Sequence, residues 1–172
     1  MRKIPLKNYL IYLVICIITF ALLFFFVARV HNMEIEKKSD LSGFVHQLPN
    51  EDTLINLKNY AIDNPNFFLY ISNHNGGSSF EKDFKNYILS CNLKESIVYL
   101  NGWNKLNTKF VKNFKNDLFD YSVKNVDIFA LMQSNIYEFK DGMVVNVLYK
   151  NKKSINIEDA KEFIESSGDV SA

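Results

Sequence analysis

The chain has 172 residues, 48% of them hydrophobic, and a formal net charge of +1. That length accommodates one soluble domain plus an appendage, and the near-neutral charge leaves no basic footprint for nucleic acid. With 15 Phe and 9 Tyr, the domain has the bulk for a real core.

Residues 1–8 carry Arg2, Lys3 and Lys7, whereas no residue from Tyr9 to Ala28 is charged. A helix of about 20 such residues spans a bilayer core of about 30 Å, so residues 9–28 are predicted to form a transmembrane helix. A cleaved signal peptide has an apolar core of only about 7–15 residues and a small-residue cleavage site. Phe24-Phe25-Phe26-Val27-Ala28-Arg29 offers a poor site, and an uncleaved anchor is the preferred reading. Val14-Ile15-Cys16 lacks the small residue that precedes a lipoprotein cysteine. The cationic flank predicts a cytoplasmic N-terminus, which puts the C-terminal domain outside the cell membrane. Residues 29–43 read as a juxtamembrane spacer, polar and charged from His31 to Asp40.

Leu41–Leu48 reads as a weak first strand ended by Pro49. Asn50 is expected to cap a helix with Glu51 and Asp52 in its first turn, with Leu54, Ile55, Leu57, Ala61 and Ile62 as its apolar face. Asp63-Asn64-Pro65 stops it. Phe67–Ser72 is a short apolar run of the kind found in interior strands. A sharp turn at Gly76-Gly77 follows, and Ser78 or Ser79 can cap the next helix. Its apolar positions are Phe80, Phe84, Tyr87, Ile88 and Cys91, one face at helical spacing.

Ser96–Asn101 is a second interior strand. Thr108 is expected to cap a third helix with Phe110, Val111, Phe114, Leu118 and Phe119 inward. Asn125–Gln133 fits a strand or a short helix. Asp141-Gly142 between two apolar runs signals a hairpin, with Met143–Tyr149 as the return strand. Asn156 caps a last helix, Ile157–Ser166, and Gly168 ends it. The order from Leu41 is β-α-β-α-β-α, hairpin, α. Alternation predicts an α/β fold whose parallel strands are joined by right-handed crossovers.

This order is that of the thioredoxin fold, a central mixed sheet flanked by helices. The resemblance covers residues 44–168, with 169–172 as a tail. Phe67-Phe68-Leu69-Tyr70-Ile71-Ser72 resembles the strand leading to the redox turn. Ile97-Val98-Tyr99-Leu100-Asn101 resembles the next parallel strand. Phe139-Lys140-Asp141-Gly142-Met143-Val144-Val145 resembles the hairpin after the family's cis-proline. With an N-terminal membrane helix in front, the whole is similar to membrane-anchored thioredoxin-like proteins of Gram-positive bacteria, including those described as bacteriocin transport accessory proteins.

The departures bear on chemistry. The family's Cys-x-x-Cys falls, within one residue, on Asn75-Gly76-Gly77-Ser78, and its cis-proline on Ser134, followed by Asn135. Neither cysteine nor proline is present there. A non-proline cis bond costs about 2.5–4 kcal/mol, so a trans bond is expected. Thiol–disulfide exchange needs a thiolate. Cys91 lies at the far end of the helix, and an intramolecular disulfide with Cys16 would place one sulfur in lipid. Both cysteines read as buried apolar residues.

Gly76-Gly77 lacks the Lys-Ser/Thr of a phosphate-binding loop, and His74 with Ser78 lacks a local orienting acid. No Cys/His spacing suits zinc. Trp103 reads as a core cover ahead of an exposed binding anchor. The expectation is therefore a non-catalytic, membrane-tethered thioredoxin-like domain without cofactor or metal. It would bind a protein or peptide through Asn75, Gly76, Gly77, Ser78, Ser134 and Asn135, in a secretion, transport or envelope role. The alternative is an oxidoreductase acting with a partner's thiols.

Overall fold

The computed structural model describes residues 6–35, 39–74, 76–150 and 154–168. The chain divides into two units, Met1–Lys37 and Lys38–Ala172. The first holds α1, Leu6–Ile35. Side chains of α1 are described continuously from Ile11 to Phe25, all of them exposed. No helix among the described residues is long and apolar enough to cross a membrane. The span expected over Tyr9–Ala28 therefore finds no support among them.

The second unit is a mixed α/β fold. Its elements are β1 (His46–Gln47), α2 (Thr53–Asp63), β2 (Phe67–Ser72), α3 (Ser79–Ser90), β3 (Ile97–Asn101), α4 (Thr108–Leu118), α5 (Ile128–Leu131), β4 (Asn135–Lys140), β5 (Met143–Leu148) and α6 (Ile157–Ser166). Five strands form one sheet in the order β1-β3-β2-β4-β5. β1, β3 and β2 run parallel, whereas β4 and β5 are antiparallel to their neighbours.

β2 is the centre of the sheet because its side chains can be buried on both faces, and all six residues are. Alternation along the strand sends Phe67, Leu69 and Ile71 into a core with α2 and α4 residues such as Leu57, Val111 and Phe114. Phe68 and Tyr70 enter the opposite core with Phe84, Ile88, Phe163 and Ile164 of α3 and α6. Tyr137 and Phe139 of β4 join the first core, and Ile136 joins the second.

The capping chemistry starts the helices where side chains can reach orphan amides. The Glu81 amide donates to Ser78 Oγ at 3.2 Å. At α6 the Asn156 side chain accepts from the Asp159 amide at 2.8 Å while Asp159 accepts from the Asn156 amide, a closed capping box. The hairpin turn has Asp141 at φ 52° and Gly142 at φ 76°. Positive φ at both central residues is the type I′ geometry that matches strand twist.

Several sequence expectations are corrected. The first strand shrinks to two residues, since Ser39–Phe44 folds into turns with Ser42 N–H to Ser39 C=O at 3.1 Å and Phe44 N–H to Leu41 C=O at 3.0 Å. Asn50 does not cap α2. Asp52 holds that place at φ 46° without a side-chain cap, and the Asn50 carbonyl accepts instead from Thr53 Oγ1 and from Lys105 Nζ. Ile55 and Ile62 are exposed, because the buried α2 stripe follows Leu57 and Ala61, four residues apart. Asn107 rather than Thr108 caps α4, accepting from the Phe110 amide at 2.9 Å.

Residues 125–133 resolve into the short helix α5, capped by Asp127. Cys91 is exposed rather than buried, since α3 ends at Ser90 and the backbone at Cys91 (φ −102°, ψ 5°) leaves the helical period before its eleventh-residue position is reached. Cys16 is also exposed.

Candidate functional site

The C-terminal ends of β2 and β3 and the start of β4 meet at one end of the sheet, where Ser72 pairs with Asn101 and Ile71 with Asn135. Three loops leave from there, and hydrogen bonds knit them together. The Gly102 amide donates to the Ser72 carbonyl at 2.7 Å. The Asn73 amide donates to Ser134 Oγ at 2.9 Å, and Asn73 Nδ2 donates to the Met132 carbonyl at 2.8 Å. Gly102 is needed for its close approach. A Cβ there would lie 2.8 Å from Leu106 Cγ, 2.9 Å from Ile71 Cγ2 and 2.9 Å from the Ser72 carbonyl oxygen.

Of the residues singled out in the sequence, Gly76, Gly77 and Ser78 lie on the β2–α3 turn, with Gly76 at φ 95°. Such an angle suits glycine. Asn75 lies outside the described residues. Ser134 faces the turn through its bond to Asn73. No cis peptide bond occurs among the described residues. Asn135 is drawn inward and fully buried. Its Nδ2 donates to the Ala130 and Gln133 carbonyls at 3.1 and 2.9 Å and to Tyr137 Oη at 3.3 Å, while its Oδ1 has no hydrogen-bond partner among the described residues. It positions the loop before β4 and presents no side chain to a partner.

Sequence reading missed the polar cluster beneath the turn. Glu81, in the first turn of α3, is fully buried. Ser78-Ser79-Phe80-Glu81 has the spacing of a capping box, but the carboxylate turns elsewhere. Ser39 Oγ donates to its Oε2 at 2.6 Å and Tyr70 Oη to its Oε1 at 3.3 Å. Burial pushes the Tyr70 hydroxyl's pKa up, and the nearby Glu81 carboxylate adds to this, opposed by the Ser72 and Ser134 hydroxyls. Tyr99 is raised by burial first and by Glu81 in lesser part, with Ser39 and Ser72 opposing. Both phenols thus remain protonated donors at neutral pH.

Two large aromatics stand exposed on the loops that press on this end. Trp103, next to Gly102, is 40% exposed and Phe129 of α5 is 73% exposed. The core position expected for Trp103 is not found, because Gly102 packs so tightly on Ile71 and Ser72 that the next side chain is directed outward. Its amide donates to Asn101 Oδ1 at 3.1 Å. Two hollows elsewhere do not include the turn. One of about 460 Å³ lies between the starts of α2 and α4, and one of about 690 Å³ lies at the hairpin end beside Ile62 and Gly142.

Among the described residues, then, this end of the sheet carries glycine, hydroxyl, amide and aromatic groups, a buried carboxylate and the exposed His74, but no thiol. Such a set can recognise a chain by hydrogen bonding and aromatic contact. No family model matches the chain, and no curated protein matches it.

Proposed function

We propose that the protein is a non-catalytic, thioredoxin-like binding domain held at the outer face of a membrane by its N-terminal segment. It would take a protein or peptide partner on the face that carries Gly76, Gly77 and Ser78. The observation that most supports this reading is the meeting of the β2–α3 turn, the Trp103 loop and the loop before β4 at one end of the sheet, with exposed aromatics on two of the three. The strand order β1-β3-β2-β4-β5 with an antiparallel β4 favours the thioredoxin-like assignment. Tethering rests on the uncharged run Tyr9–Ala28. A thiol mechanism is disfavoured because the turn positions that would hold the cysteines are Asn, Gly, Gly and Ser.

The test is photo-crosslinking in the cells that make the protein, from a probe at Gly77 and from a control probe at Ile62 on the hairpin end. A discrete adduct from position 77 that is absent from position 62 is the expected result. Equal labelling from both positions would reject the binding face. Protease treatment of intact cells tests the tether separately: digestion of the C-terminal unit is expected, and its protection would reverse the topology.

A further inference from the structure

The segment Ser39–Val45 rides on α3 through three kinds of contact. Ser39 Oγ bonds the buried Glu81 carboxylate at 2.6 Å. Leu41 and Val45 are buried in the same core as Phe84 and Ile88. The Phe44 ring lies under Lys85 Nζ at 5.0 Å and Lys94 Nζ at 5.6 Å. The segment also braces itself, with the Leu41 amide on Ser39 Oγ at 3.2 Å and Ser42 Oγ on Gln47 Oε1 at 2.7 Å.

The bond to Glu81 is the unusual member of this set. No salt bridge to Glu81 is found among the described residues, and its oxygens take hydroxyl donors alone. A carboxylate removed from water needs every donor it has. Glu81 is also the residue whose amide Ser78 caps, so the order of its side chain and that of the β2–α3 turn are one property.

We propose that Ser39–Val45 is a latch. Seated, it fixes Glu81 and with it the first turn of α3 and the candidate binding face; unseated at Ser39, it lets that turn open while the sheet stays intact. The latch rests on neither the membrane tether nor the identity of a partner.

The experiment is amide hydrogen exchange on the full chain, comparing the unmodified protein with Ser39→Ala and Ser39→Thr. Loss of one hydrogen bond to a buried charged group corresponds to about a 10- to 100-fold change in an opening equilibrium. Amides of Glu81–Phe84 in Ser39→Ala are expected to exchange faster by that factor, with those of Tyr137 and Phe139 in β4 unchanged. Ser39→Thr, which keeps the hydroxyl, is expected to restore protection. A change below about twofold at residues 81–84, equal acceleration in β4, or failure of threonine to restore protection would each overturn the latch.

Discussion

Gly102→Ala probes the packing that brings the three loops together. Gly102 is absent from the positive-φ glycines, so alanine meets no backbone penalty and the substitution tests space alone. Its Cβ would sit 2.8–2.9 Å from Leu106 Cγ, Ile71 Cγ2 and the Ser72 carbonyl oxygen. The side chains belong to buried residues with little room to give, and the third neighbour is backbone. Overpacking of this kind costs about 1–3 kcal/mol. Moving the loop away also weakens the 2.7 Å Gly102–Ser72 bond, a further ~1 kcal/mol.

The combined loss of about 2–4 kcal/mol corresponds to a fall in Tm of roughly 8–15 °C for a unit of this size. Trp103 is the chain's one tryptophan and adjoins the altered residue. Thermal unfolding followed by its fluorescence therefore reports both the stability and the local environment. A Tm within about 2 °C of the unmodified protein, with an unchanged emission maximum, would refute the claim that this loop is pressed on the strand end.

Asn107→Ala removes the side chain that accepts from the Phe110 amide and should cost about 1 kcal/mol, read as a shift in denaturation midpoint; Thr108→Ala should have a smaller effect. The phenols give a pH dependence with a definite sign. Tyr70, Tyr99 and Tyr137 are raised, chiefly by burial, and Tyr87 is pushed up to about 12, by burial first and by Cys91 and Glu165 in lesser part. Unfolded tyrosines ionise near 10, so the stabilisation is fully present below about pH 10 and is lost as pH rises from there, through about 12 for Tyr87 and at still higher pH for Tyr70 and Tyr137. Denaturant titrations at pH 9, 10.5 and 11.5 should show a falling midpoint; a flat profile would contradict the burial of these hydroxyls. The purified C-terminal unit should reduce insulin no faster than buffer, and Cys91→Ser should change nothing.

Legibility in the sequence followed how local the determining physics is. The strand Phe67–Ser72, the Asp141-Gly142 hairpin and the Asn156 cap are written in adjacent residues, and each stands where the pattern put it. The first strand failed because Leu41 and Val45 are buried through turns, which produce the same apolar count as a strand. Ile55 and Ile62 were misplaced because they are apolar residues on the exposed side of a helix whose buried stripe is set by Leu57 and Ala61. Cys91 and Trp103 depart from the expected burial for a shared reason: they lie one and two residues past an element's end, where the backbone no longer follows the element's period.

The turn at Gly76-Gly77 was visible from its glycines, but the cluster beneath it was not. Ser39 and Glu81 are 42 residues apart, and Asn73 and Ser134 are 61 apart. Pairings at that separation are created by the sheet order and leave no local mark. The spacing of Ser78 and Glu81 was the available signal, and it points to a cap rather than to a buried carboxylate.

The most direct measurement of the central claim joins the turn to its aromatic flanks. A crosslinking probe at Gly77 is compared in cells between the otherwise unmodified chain and a Trp103→Ala/Phe129→Ala variant of equal abundance. Loss of most of the adduct in the double variant, at unchanged Tm, is the predicted result. An adduct of undiminished yield would contradict the account, because the exposed aromatics would then take no part in binding at this face.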